Sequence, residues 1–157
     1  MNEVIYSYVI EGTDLPEFDC FKIYKDGTVV WTCGNIYDKQ NRRKYTAKLS
    51  EQSIKKIKKL IEDNPKVFTI KEIQDRYYCA TDVAYSSFYF SDGQKKNKIK
   101  VYDLEQFEDL PEECPKFSED VRNARLLITI RKKIEKLYFK AFDKATVSPE
   151  DIYRNSF

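Results

Sequence analysis

Apolar residues along this chain recur with two different periods, and the changes between them mark out the elements. Stretches 4–10, 18–24, 28–33, 44–49, 84–90 and 98–102 are rich in Ile, Val, Tyr, Phe and Thr. They carry the composition and the alternation of half-buried strands. Lys25-Asp26-Gly27 separates the second and third stretches, and Asp-Gly is the favoured centre of a two-residue type I′ hairpin turn. Asp92-Gly93 stands between the fifth and sixth, where the polar run 94–97 allows a longer loop.

Two other stretches switch to the helical period. Ser50 can cap a first helix, with Glu51 in its first turn and Leu49 and Ile54 at the spacing of a hydrophobic staple. Ile54, Ile57, Leu60 and Ile61 supply its buried stripe, and Asn64-Pro65 ends it. A second helix is predicted over 119–142, with Ser118 as its cap. Its stripe consists of Ala124, Leu127, Ile130, Ile134, Leu137, Tyr138 and Ala141. Ser148-Pro149-Glu150-Asp151 has the form of a cap, an N1 proline and an acidic first turn, so 143–157 is expected to be a short C-terminal helical tail. No Gly-, Ser- or Pro-rich linker divides the chain, and the longest irregular candidate is 103–120. The expectation is one α+β domain over 1–157, an antiparallel sheet built from hairpins with two main helices packed on it.

Composition narrows the chemistry. The chain has 157 residues with 12 Tyr and 10 Phe, enough apolar bulk to offset its ordering entropy. It contains no histidine, which excludes Ser-His-Asp and Cys-His catalysis and every His-ligated metal site. No P-loop, G-x-G-x-x-G or G-x-S-x-G motif occurs, and four glycines leave little for a phosphate cradle. Asp75 with Asp82, or Glu72 with Asp75, could be offered as carboxylate pairs, but 26 Asp plus Glu in the chain produce such pairs by chance. Segment 76–82, Arg-Tyr-Tyr-Cys-Ala-Thr-Asp, is the candidate functional loop, or else a connector whose tyrosines face the core. No catalytic residue, cofactor, metal or small-molecule substrate is therefore expected. No apolar run reaches membrane-spanning length, and the N-terminus lacks a cationic n-region. A cytoplasmic location is the expectation, and abundant Ile, Lys, Asn and Tyr suggest a bacterial or phage genome.

Charge changes the picture only through its distribution, because 28 Lys plus Arg nearly balance 26 Asp plus Glu. Helical arithmetic places Arg122, Arg125, Lys132, Lys133, Lys136 and Lys140 opposite the apolar stripe of the second helix. Interleaved Glu at i,i+4 would be the usual way to settle such a face, and between Val121 and Lys144 only Glu135 and Asp143 oppose eight cations. This ridge can serve a protein partner or a phosphate backbone. It can equally be a solvated face, or be neutralised by the acidic segment 103–120. Arg131 falls inside the apolar arc, where a structural ion pair is expected ahead of an anion site. Two further basic aromatic clusters are Arg42, Arg43, Lys44, Tyr45, Lys48 and Lys95, Lys96, Lys98, Lys100, Tyr102. They suit stacking on single-stranded nucleic acid, although any solvated sheet face carries similar letters.

Four cysteines, 20, 33, 79 and 114, show no C-x-x-C spacing. If Asp26-Gly27 is a two-residue turn, Lys25 faces Thr28 and Cys20 faces Cys33, as a non-hydrogen-bonded pair with Cα atoms about 4.5 Å apart. That spacing suits either a disulfide or two buried thiols beside Tyr24, Val29 and Trp31. An apolar wall of this kind raises a thiol pKa and argues against a nucleophile.

The run Phe21-Lys22-Ile23-Tyr24-Lys25-Asp26-Gly27-Thr28-Val29, then Lys48-Leu49-Ser50 opening a helix, Phe68, Tyr78, Thr81-Asp82 and Asp92-Gly93 before 99–102, resembles an uncharacterised bacterial domain family often found in lipoproteins. The likeness covers roughly residues 18–103 and implies a small α+β fold with no assigned activity. The chain departs from the family in its N-terminus, which has no export signal, and in its charged C-terminal third. The functional expectation is a non-enzymatic protein–protein interaction module using the basic helix, with a nucleic-acid-binding protein using the same ridge as the alternative.

Overall fold

A computed structural model describes residues 2–12, 17–35, 42–73, 84–104, 106–109, 118–143 and 152–153. The strands are β1 (Val4–Gly12), β2 (Glu17–Tyr24), β3 (Thr28–Asn35), β4 (Arg42–Lys48), β5 (Ala84–Ser91) and β6 (Lys96–Tyr102). The helices are α1 (Glu51–Glu62), the short α2 (Gln106–Asp109) and α3 (Ser118–Asp143). The strands form one antiparallel sheet in the order β6-β5-β1-β2-β3-β4, so the fold is α+β. A two-residue strand, β7 (Ile152–Tyr153), pairs with the outer edge of β4. These two residues were expected in a terminal helix. The unpaired edge of β4 offers backbone partners to a β-branched and an aromatic residue, and pairing wins there. The proposed cap at 148–151 lies outside the described residues.

β1 to β4 form a meander. α1 then carries the chain back beneath the sheet to the far side of β1, where β5 and β6 close a hairpin. Both main helices pack on one sheet face. That face contributes Tyr6, Tyr8, Phe21, Ile23, Val29, Phe88, Phe90, Ile99 and Val101, and the helices contribute Ile54, Ile57, Ile61, Leu127, Ile130, Ile134 and Tyr138. Each such side chain contributes about 1.5–3 kcal/mol on full burial. α1 begins as its sequence predicts: Ser50 Oγ accepts the Ser53 N–H at 3.1 Å, and Leu49 and Ile54 are both buried.

The first hairpin differs from expectation by one residue. Gly27, at φ +95°, donates its N–H to the Tyr24 carbonyl at 2.9 Å, and the loop holds three residues, Lys25 to Gly27. The Lys25 N–H is taken by the Glu3 carbonyl at 2.7 Å, which removes Lys25 from the β2–β3 ladder. Asp26 accepts the Thr28 N–H at 2.9 Å and pairs with Lys48 at 3.3 Å, while the Leu49 N–H donates to the Gly27 carbonyl. The turn is thus tied to the start of β1 and the end of β4. A one-residue slip exchanges the faces of a strand. In the observed register Phe21 faces Trp31, the rings stacked at 5.4 Å, whereas a two-residue turn would set Trp31 against Lys22. Aromatic pairing in the core and the tie to β1 both select the longer loop.

Candidate functional site

The six basic residues of the predicted ridge lie on α3, but they are not one free strip. Lys132 Nζ pairs with Glu108 of α2 at 2.8 Å, and this hydrogen bond holds the Glu108 carboxyl below its usual range. Arg125 is half-buried, and its Nε donates to the Phe107 carbonyl at 3.1 Å. α2 lies within the acidic connector, and buried Phe107 seats it against α3, so two of the six are drawn inward. Arg122, Lys133, Lys136 and Lys140 remain exposed, and Phe139 beside them is 42% exposed. Residues 105 and 110–117 of the connector lie outside the described residues.

Arg131 is 7% exposed, as its place in the apolar arc predicts. Its Nη1 donates to the Tyr8 hydroxyl at 2.9 Å, and that hydroxyl lies 3.0 Å from Ser86 Oγ. Its Nε stands 3.5 Å from the Glu135 carboxylate one turn along α3. The guanidinium therefore ties α3 to β1 and β5, which is a structural ion pair.

The pairing of Cys20 with Cys33 is overturned by the register. Cys20 faces Thr32 and Cys33 faces Asp19, so the two thiols point to opposite faces of the sheet. The cause is the three-residue turn described above. Burial raises the Cys33 thiol above its ordinary pKa. Cys79, Cys114 and the loop 76–82, with Asp75 and Asp82, lie outside the described residues.

The feature that sequence reasoning left in pieces is the sheet face turned away from the helices. Strand alternation and register set its rows. One row across β6-β5-β1-β2-β3-β4 reads Lys98, Tyr89, Ser7, Lys22, Val30, Thr46. The next reads Lys100, Ser87, Val9, Cys20, Thr32, Lys44. Lys96 and Lys48 extend the face at one end, and Tyr102 faces Tyr85 at the other. Six lysines thus stand on this face, and none of its strand positions with a described side chain carries a carboxylate, while Glu72 borders it beside Lys98 and Lys100. Arg43 and Tyr45 turn to the opposite face, opposite Cys33 and Trp31, so the cluster at 42–48 splits between the two.

A groove of about 670 Å³ opens on this face. Val4, Val9 and Cys20 provide its apolar floor, with Tyr89, Lys22, Lys96 and Lys98 among its walls. The hydroxyl-bearing residues Ser7, Ser87 and Ser91 also line it, and Glu3 lies at its margin. Lys100 sits over the rings of Tyr85 at 4.2 Å and Tyr102 at 4.8 Å. Its hydrogen bond with Tyr102 raises the ammonium pKa. The signal in the sequence was the alternation Lys96, Lys98, Lys100. What it lacked was the pairing that places Lys98 in one row with Lys22, across two intervening strands of the sheet and 76 positions earlier in the chain.

Among the described residues no cluster of His, Cys, Asp or Glu could hold a metal ion, and no helix is long and apolar enough to cross a membrane. No protein-family model matches the chain, and no curated protein matches it.

Proposed function

We propose that this chain is a non-enzymatic interaction module that holds a polyanionic partner on the open face of its sheet. The observation that carries this reading is the set of six lysines, 22, 44, 48, 96, 98 and 100, on one face, of which Lys22, Lys96 and Lys98 line a groove with an apolar floor. Clustered ammonium groups bind a polyanion by releasing its condensed counterions, so affinity falls steeply with salt. Lys48 is already paired with Asp26, which leaves the strongest field on the β6 side of the sheet.

The test compares elution from immobilised heparin for two variants that change the net charge equally. One carries Lys22→Glu, Lys96→Glu and Lys98→Glu, and the other carries Lys133→Glu, Lys136→Glu and Lys140→Glu. The sheet variant is expected to elute at clearly lower salt than the helix variant. Equal elution would mean that the face is irrelevant and would sink the reading.

Phe139 favours a second reading, a protein docked on α3. An exposed aromatic flanked by Lys136 and Lys140 has the make-up of an interface anchor. A partner recovered from nuclease-treated lysate, lost with Phe139→Ser and kept by the sheet variant, would support it.

A further inference from the structure

We infer that the polyanion is single-stranded nucleic acid, its phosphates along the lysines of β6 and its bases on Tyr89 and the floor of the groove. This rests on the polyanion-binding reading of the same face. A nucleotide couples an anion to an aromatic plane, and the face repeats the complement of that unit. Lys98 stands directly opposite Tyr89. Directly opposed side chains have Cβ atoms about 4.5–5.5 Å apart, so a cation and a ring sit side by side. No ring or cation of a described residue stacks on Tyr89. Its strand neighbours on that face, Ser87 and Ser91, are small and leave the ring flanked by open space.

Lys96, Lys98 and Lys100 alternate along β6, repeating every two residues at about 6.8 Å. A stretched sugar–phosphate backbone repeats at a similar interval. Inboard of them lie Val4, Val9 and Cys20, a flat apolar floor, with Ser7 and Ser87 able to meet base edges. Lys100 with Tyr85 and Tyr102 forms a second cation–aromatic unit at the end of the same track. An acidic polypeptide would satisfy the lysines but has no aromatic plane tied to each anion. A duplex keeps its bases stacked inside and cannot lay them on Tyr89. Aromatic platforms beside a basic track bind single strands with little sequence preference.

The test measures fluorescence anisotropy of a labelled oligothymidylate of about 12 nucleotides with the full chain, over a range of salt. Binding that weakens with salt is expected. Tyr89→Ala should weaken it about tenfold, the low-to-middle part of what one stacked base contributes. Lys96→Gln, Lys98→Gln and Lys100→Gln together should lower the salt slope by about two, from three phosphate contacts at roughly 0.7 each. Heparin elution and Tm confirm that Tyr89→Ala is folded and keeps its charge field. Three results each overturn the inference: unchanged binding with Tyr89→Ala, a duplex of equal length binding as tightly, or polyglutamate competing as well per charge. In all three the polyanion reading stands if heparin still distinguishes the sheet variant from the helix variant, and it falls with the inference if heparin does not.

Discussion

Arg131→Ala probes how the buried guanidinium joins the helix layer to the sheet. The substitution removes about two buried methylenes, at ~0.8 kcal/mol each. It also removes the charge-assisted hydrogen bond to the Tyr8 hydroxyl at 2.9 Å, a class of bond worth about 1.5–3 kcal/mol. The expected loss is therefore about 3–4.5 kcal/mol. Arg131→Met keeps the volume and no longer requires a charge to be held out of water. Tyr8 retains its contact with Ser86 at 3.0 Å, and Glu135, whose side chain is 28% exposed, can turn to solvent. Methionine should therefore cost no more than about 1 kcal/mol, following the general behaviour of buried ion pairs replaced by apolar groups. Trp31 reports on this layer, because its ring stacks on Phe21 at 5.4 Å and its Nε1–H donates to Asp19 at 3.0 Å. Urea unfolding followed by its fluorescence should show the alanine midpoint lowered by about 1.5–2.3 M, for a slope of roughly 2 kcal/mol/M. A loss below about 1 kcal/mol with alanine, or equal losses with alanine and methionine, would refute the reasoning.

Three further outcomes follow from other parts of the fold. Burial holds the Tyr6 and Tyr138 hydroxyls protonated well above their ordinary value of 10.0. The folded chain then keeps protons that the unfolded chain releases. Stability should be complete below about pH 10 and fall as pH rises beyond it, by up to about 1.4 kcal/mol per unit for each tyrosine. Urea midpoints measured across that range should fall less steeply in Tyr6→Phe and Tyr138→Phe. Gly27→Ala should cost about 2 kcal/mol or more and Gly93→Ala about 1 kcal/mol. Both sit at positive φ, but a Cβ at Gly27 would lie 3.2 Å from the Leu49 carbonyl oxygen while Gly93 faces open space. Matching losses in chemical denaturation would contradict this. Mild oxidation followed by peptide mapping should find no Cys20–Cys33 bridge, whereas Asp19→Cys should bridge to Cys33, its directly opposed partner. A native 20–33 bridge would restore the two-residue turn.

Much of the fold was legible because helix and strand periods are local. The start of α1 could be written down from Leu49, Ser50, Glu51 and Ile54, since the cap and staple act within one turn. The two faces of α3 and the buried place of Arg131 followed from 100° per residue alone. The acidic connector was recognised as a candidate to cover the basic ridge. That Phe107 would seat a short helix there, and bring Glu108 to Lys132, depended on packing between distant segments. The tail failed for a related reason: a good local helix start at 148–151 says nothing about the free edge of β4 that Ile152–Tyr153 joins.

The sequence by itself determined the six main strands, the two main helices with their apolar stripes, and a chemistry without histidine. It also placed lysines on alternate positions of β6 and turned them away from the core. Tertiary structure decided the register of the first hairpin, through a hydrogen bond from Lys25 to Glu3 that no turn signal contains. It decided that β1 lies at the centre, with β5 on one side and β2 on the other, so that Tyr89 and Lys22 flank Ser7 in one row. Periodicity states which residues of one strand share a face. Which strands then share a sheet is settled by the burial of Tyr6, Tyr8, Phe21, Phe88 and Phe90 together, and that non-local burial assembled the basic face.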